Sequence, residues 1–253
     1  MKKIYAVFIS GLSVLAFSSC EGFLDKFPET SLSPETFYTS EKELELATNG
    51  FYTMLPSPDN TTDGALQDND LEYHISLSSL QMGNRSAENE SWSSSTWSNL
   101  RALNYYLEHS VNCTSEDIRK KYDGVAYFFR AMFYYEKVRK YGDIPWYDHV
   151  ISANDRASLY RARDSRGFVM QKIMEDLDKA IDGLPVTWTE GVYRINKYAA
   201  YAFKSRVALF EGTWRKYHDV PDETYTKDDG TQLTLSSEYF LRQSADAAKA
   251  VID

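Results

Sequence analysis

Apolar side chains recur at helical spacing through most of this chain, and that periodicity carries the first reading. Leu44, Ala47, Phe51 and Leu55 stand at i, i+3, i+7 and i+11 and predict one face of a helix ended by Pro56. Ser40 and Glu43 have capping-box spacing: the Ser oxygen can accept from the third helical N–H while the Glu reaches back. Leu100, Leu103, Leu107 and Val111 predict a second stripe. Thr114 or Ser115 opens the next helix, which carries Ile118, Tyr122, Val125, Phe129 and Phe133. Over 126–141 this helix is apolar nearly all round, so it must be covered on several sides. Gly142 and Pro145 stop it, glycine just past the end and proline beyond.

Asp164 or Ser165 starts another helix, with Val169, Ile173, Leu177 and Ile181 spaced by fours up to Gly183 and Pro185. Asn196 caps the one after it, whose face is Ala200, Phe203, Val207, Phe210 and Trp214. Small residues at Ala199, Ala202, Ala208 and Gly212 let a neighbour come close. Residues 218–235 are polar, with Asp229-Gly230 as a hairpin turn, and 239–251 is helical again. Helical pairs with a small-residue seam and large aromatics follow the logic of tetratricopeptide solenoids, although the period drifts from their ~34 residues. The fold expected is therefore all-α and tetratricopeptide-like. The last helix runs apolar and periodic to Asp253 with no Gly, Asn or Pro to stop it, which reads as a chain cut inside a longer protein.

Two stretches lack this pattern. Residues 21–39 carry Pro28 and Pro34 and read as an extended arm, with Phe23, Leu24, Phe27 and Phe37 lying on the body. Residues 56–95 are dominated by Pro, Ser, Asn, Asp, Thr and Gly, and a connection of ~40 residues without periodicity is usually a functional loop or a disordered one. Within it, 71–80 fits either a short helix or a strand.

The N-terminus is different again. Met1-Lys2-Lys3 is basic, and 4–17 is an apolar run of 14 residues, too short to span a bilayer of ~30 Å as a helix. Residues 1–19 read as a signal peptide. Ser18-Ser19 directly before Cys20 has the form of a bacterial lipoprotein processing site, where the cysteine is acylated and becomes the new N-terminus. Cys113 then has no partner within the chain and reads as a small buried hydrophobe at a helix end.

Composition narrows the function. The 28 Lys and Arg stand against 37 Asp and Glu, a formal charge of −9, so phosphate backbones are repelled and nucleic acid is not an expected partner. Two cysteines support neither a disulfide framework nor a zinc site, and no metal or cofactor is expected. Asp228-Asp229-Gly230 lacks the remaining ligands of a calcium loop and reads as a turn. No HExxH, GxSxG or phosphate-cradling glycine motif occurs, and His74, His109, His149 and His218 are scattered, in surface or capping roles. No catalytic residue is assigned, although an acidic chain always contains carboxylate pairs that could serve glycoside hydrolysis.

Four ordered blocks resemble one known family. They are Cys20-Glu21-Gly22-Phe23-Leu24-Asp25, with Pro28 and Phe37 following, and Phe129-Arg130-Ala131 running through Tyr134-Tyr135 to Arg139-Lys140-Tyr141-Gly142-Asp143-Ile144-Pro145. The third is Ile173-Met174-Glu175-Asp176-Leu177 with Ala180 and Leu184-Pro185. The fourth is Asn196-Lys197-Tyr198-Ala199-Ala200 with Lys204-Ser205-Arg206-Val207-Ala208-Leu209 and Gly212-Thr213-Trp214. Together they resemble the SusD/RagB outer-membrane lipoproteins across nearly all of 20–253. The resemblance implies a lipid-anchored protein on the cell surface that captures glycans, or peptides in the RagB branch. It also implies delivery to a SusC-like TonB-dependent transporter, with no catalysis. Such proteins are usually about twice this length, so 20–253 would be the N-terminal, tetratricopeptide-like part and the C-terminal half would be absent. A tetratricopeptide scaffold that binds only protein is the competing reading.

Sugar recognition needs flat aromatic faces for the C–H-rich side of a pyranose and polar groups for its hydroxyls. The stretch from Asn84 and Arg85 through Trp92 to Trp97 offers two indoles among Ser, Asn and Glu, and Asp70 and Asn69 could add hydroxyl contacts. The competing reading of Trp97 is that it begins the following helix and packs inside. The aromatics over 122–141 and 193–217 lie at helical spacing and read as core.

Overall fold

The computed structural model of the chain describes residues 37–56, 77, 81–84, 86, 92, 94–189, 191 and 193–253. Several expectations lie outside them: the signal peptide, Cys20 and its lipidation, the arm over 21–36, Asn69, Asp70, His74, Arg85 and, apart from Leu77, the segment 71–80.

Helix α1 (Glu41–Asn49) begins as its capping box requires, with Glu43 Oε2 accepting from Ser40 N at 3.0 Å and Thr39 N at 2.9 Å. It tightens into a 3-10 turn, Gly50–Met54, which rotates the stripe, so Phe51 is buried while Leu55 is exposed. Helix α2 (Ser94–His109) likewise ends in a 3-10 turn, Ser110–Asn112. That turn corrects one expectation: Leu100 and Leu103 are buried, but Val111 is 60% exposed. Cys113 is buried as expected, just past the turn.

Helix α3 (Glu116–Tyr141) is the centre of the body and packs against α1, α2 and α5 (Arg166–Gly183). This is why its sequence is apolar nearly all round: Val125, Phe129, Ala131, Tyr134 and Val138 are wholly buried. Each such large side chain contributes roughly 1.5–3 kcal/mol on leaving water. Gly142, at φ 73°, ends the helix in a conformation that costs an L side chain, and its N–H closes on Val138 O at 2.9 Å. A single-turn α4 (Arg156–Leu159) interrupts the connection to α5. Ser165 caps α5 through Phe168 N, and Asn196 caps α6 (Lys197–Tyr217) through Ala199 N.

Strands β1 (Glu223–Thr226) and β2 (Gln232–Leu235) form the expected antiparallel hairpin, with Asp229 Oδ1 holding Thr231 N in its turn. Helix α7 (Ser237–Ile252) returns along α6. Their approach needs Gly212, where a Cβ would lie 2.8 Å from Leu241 Cγ and 3.0 Å from Leu241 N. The successive antiparallel pairs α2/α3, α5/α6 and α6/α7 make the all-α, tetratricopeptide-like scaffold that the periodicity indicates. The aromatics of α3 are core, but Tyr193 is 88% and Tyr217 74% exposed, because one precedes α6 and the other is its last residue.

Two buried ionic clusters hold these layers. Arg130 on α3 grips Asp176 on α5 with both arms, Nε to Oδ2 and Nη2 to Oδ1, each at 2.7 Å. Burial works against the guanidinium charge, yet the Asp176 carboxylate holds the Arg130 pKa above its ordinary value. Under α6, Glu211 accepts from Arg166 Nε at 2.8 Å and Arg215 Nε at 2.9 Å. Arg215 continues to Glu223 Oε1 and Leu235 O, both at 2.7 Å, and so fastens the hairpin. Among the described residues no helix is long and apolar enough to cross a membrane.

Candidate functional site

The connection between α3 and α5 is long, yet it is fixed at nearly every residue. Tyr134 OH donates to Tyr147 O at 3.1 Å and accepts from Tyr147 N at 2.6 Å, and its ring stacks on Trp146 at 4.2 Å. Asn104 Nδ2 on α2 donates to Tyr147 O and His149 O at 3.0 Å, while its Oδ1 takes Arg130 Nη1 at 3.1 Å. Glu108 Oε1 accepts from Val150 N at 2.6 Å, and Asp164 Oδ2 from Trp146 N at 2.7 Å. Tyr147 OH reaches Ser158 O at 2.8 Å and ties the loop to α4, whose first turn Asp155 caps through Ser158 N. A loop tied down in this way can present side chains as rigidly as a helix does.

Between this loop and the start of α2 lies a cleft of about 600 Å³. Its walls are Trp92, Trp97, Ser98, Leu100, Arg101 and Asn104 on one side, with Pro145, Tyr147, His149, Val150, Ile151, Leu159, Arg161 and Arg163 on the other. Trp92 is 38% exposed and stands edge-on to Trp97 at 5.0 Å and to Tyr141 at 4.8 Å. Trp97 lies in the first turn of α2, half buried against Phe133 at 5.5 Å and Tyr147 at 6.1 Å. Its Nε1 is buried with no hydrogen-bond partner among the described residues. Trp97 thus packs at the helix start, as the competing reading has it, and also lines the cleft.

Charge is uneven here. Arg163 sits over the Trp92 ring at 5.3 Å, and Arg161 over Tyr147 at 5.8 Å while paired with Asp164. Burial raises the Tyr147 pKa, so that phenol stays protonated. Asp148, behind the cleft, is pushed up by burial but pulled further down by His149, its own backbone and Arg130, and stays ionised. The Nδ1 atoms of His109 and His218 meet Tyr105 O and Trp214 O one turn back, closing helix ends.

The structure thus brings Trp92 and Trp97 together and places Asn84, exposed, outside the cleft wall. Tyr147, His149, Arg101, Arg161 and Arg163 escaped sequence reasoning. For Arg161 and Arg163 the signal that could have found them is the run 156–166, which holds four arginines and one aspartate within an acidic chain; nothing comparable marks Arg101, Tyr147 or His149. Among the described residues no group of three His, Cys, Asp or Glu is placed to hold a metal ion.

Residues 22–209 match the SusD-like family described as starch-binding and associating with the outer membrane. SusD-like proteins P25 and P2 of Formosa agariphila are 25% and 26% identical, over 84% and 85% of this chain but only 44% and 45% of theirs. The chain spans less than half the length of these curated relatives. A SusD-like protein of Bacteroides fragilis superposes with a TM-score of 0.66 at 22% identity, covering 90% of this chain and 41% of that one. A laminarin-binding SusD-like protein gives 0.61 at 16% identity, covering 85% and 44%. With a family match running over most of its length, this chain belongs to the SusD-like family.

Proposed function

We propose that this chain is the glycan-binding N-terminal part of a cell-surface lipoprotein that captures oligosaccharides and delivers them to a SusC-like TonB-dependent transporter. The observation that carries this reading is the cleft in which Trp92, Trp97 and Tyr147 line one space together with hydrogen-bonding side chains. Flat rings bind the apolar face of a pyranose, and fixed polar groups around them select its hydroxyls. The family description and the laminarin-binding neighbour support the same class of ligand.

Affinity electrophoresis against a polysaccharide panel tests the reading. Trp92→Ala should weaken retention roughly tenfold, the effect of losing one aromatic contact of ~1.4 kcal/mol, while the melting temperature stays within ~2 °C. Trp97→Ala should weaken retention and also lower the melting temperature, because its ring packs on Phe133. Survival of binding in both variants would remove both indoles from the glycan site, and release of reducing ends would make the protein an enzyme. Tight capture of a peptide with no glycan retained would move it to the peptide-binding branch. For the anchor, Cys20→Ala should abolish labelled-palmitate incorporation and membrane association on fractionation; unchanged fractionation removes the lipoprotein reading.

A further inference from the structure

We infer that the cleft selects an anionic glycan, one bearing carboxylate or sulfate groups, over a neutral one. This rests on the reading of the cleft as a glycan site. Among the described residues its lining holds Arg101, Arg161, Arg163 and His149 and not one Asp or Glu, in a chain with a formal charge of −9. The most buried arginines behave differently: Arg130, Arg166, Arg194 and Arg215 each close on a carboxylate.

Two of the cleft arginines do not. Arg101 donates Nη1 to Ile151 O at 3.0 Å, and Arg163 reaches Asp143 O at 3.5 Å, both neutral acceptors. Neither has a carboxylate partner among the described residues. Each is held by one arm and keeps further N–H donors for an oxyanion, and a planar guanidinium matches carboxylate or sulfate with two parallel bonds. Carboxylates near the cleft are already committed: Asp164 to Arg161 and Trp146 N, Glu108 to Val150 N, Asp148 to His149. They do not neutralise Arg101 or Arg163. The position of Arg163 also matters. With its guanidinium over the Trp92 ring, it sets a cation beside the same indole on which a sugar ring would lie, so an anionic substituent on a stacked sugar meets it.

The test uses the full chain on affinity gels and in titration calorimetry with polygalacturonate, its carboxyl-reduced counterpart, a sulfated galactan, laminarin and starch. Polygalacturonate or the sulfated galactan should be retained, and the two arms tell which anion is read. Reducing the carboxyls, or raising salt from 50 to 500 mM, should weaken binding roughly tenfold or more. The double variant Arg101→Gln/Arg163→Gln should lose a similar factor on the anionic polymer and a clearly smaller one on any neutral polymer. Since the chain as a whole is acidic, nonspecific attraction cannot imitate this result. Retention of laminarin or starch that equals or exceeds that of the anionic polymers, is lost in Trp92→Ala and is untouched by the arginine variants would overturn the charge selection and leave the glycan site standing. Retention of no polymer, or retention indifferent to Trp92→Ala, would overturn both.

Discussion

Arg130→Ala should lower the unfolding free energy by about 3–5 kcal/mol, the range for breaking a buried ion pair from one side. The reason is the charge left behind. Asp176 is buried, and both its oxygens accept from Arg130 at 2.7 Å. Alanine removes the bonds, opens a void at the α3–α5 seam and strands a carboxylate in a medium that solvates it poorly. Asp176→Ala should cost a comparable amount for the mirror reason. The double replacement Arg130→Met with Asp176→Leu should recover most of the loss, because an apolar pair of similar volume fills the space without desolvating any charge. Urea unfolding of the four proteins measures this. A single-variant loss below ~1 kcal/mol, or a double variant no better than either single, would show that the pair is not what joins the layers. The damage should also reach the cleft. Arg130 Nη1 holds Asn104 Oδ1 and Asp148 O, and Asn104 in turn holds the backbone at Tyr147 and His149. Even the folded fraction of Arg130→Ala should therefore bind glycan less tightly.

Those contacts show where the sequence was informative and where it was not. Helices α3, α5 and α6 could be read because the needed signal is local: a stripe repeating every three or four residues, and a cap such as Ser165 or Asn196 within one turn of it. Arg130 and Asp176 stood in two of the blocks that carry the family resemblance, but no spacing rule links positions 46 apart, so their pairing was invisible. The exposure of Val111 was missed because periodicity assumes an unbroken α-helix, and the tightening at Ser110–Asn112 turns that side chain outward. In the cleft, Trp92 and Trp97 were legible as indoles in a polar context. Arg163 was not, since only the loop bound to Tyr134 and Asn104 carries it across some seventy positions to the Trp92 ring.

A second large effect concerns pH. Asp123 on α3 is half-buried against α2, with Oδ1 wholly out of solvent and lacking a well-formed hydrogen bond, as does the neighbouring Tyr106 OH. Burial pushes its pKa from the ordinary 3.8 to about 6, against the weaker pull of Ser110, Arg119 and Tyr106. A carboxyl whose folded pKa lies above its unfolded one holds its proton more tightly when folded. Its contribution is therefore neutral below pH 3.8, and stability is lost as pH rises from 3.8 to about 6, the loss being complete above that. Two units correspond to about 3 kcal/mol, and partial exposure reduces this. Asp123→Asn should accordingly stabilise the protein by about 1–3 kcal/mol at pH 7.5 and by almost nothing at pH 4, since the amide keeps the shape and removes the charge. Urea midpoints of wild type and variant across that interval decide it. The gap between the two curves should close as pH falls through 6; a gap that is constant, or a variant weaker than wild type at pH 7.5, means that the carboxylate is solvated after all and that the α2–α3 seam carries no such penalty.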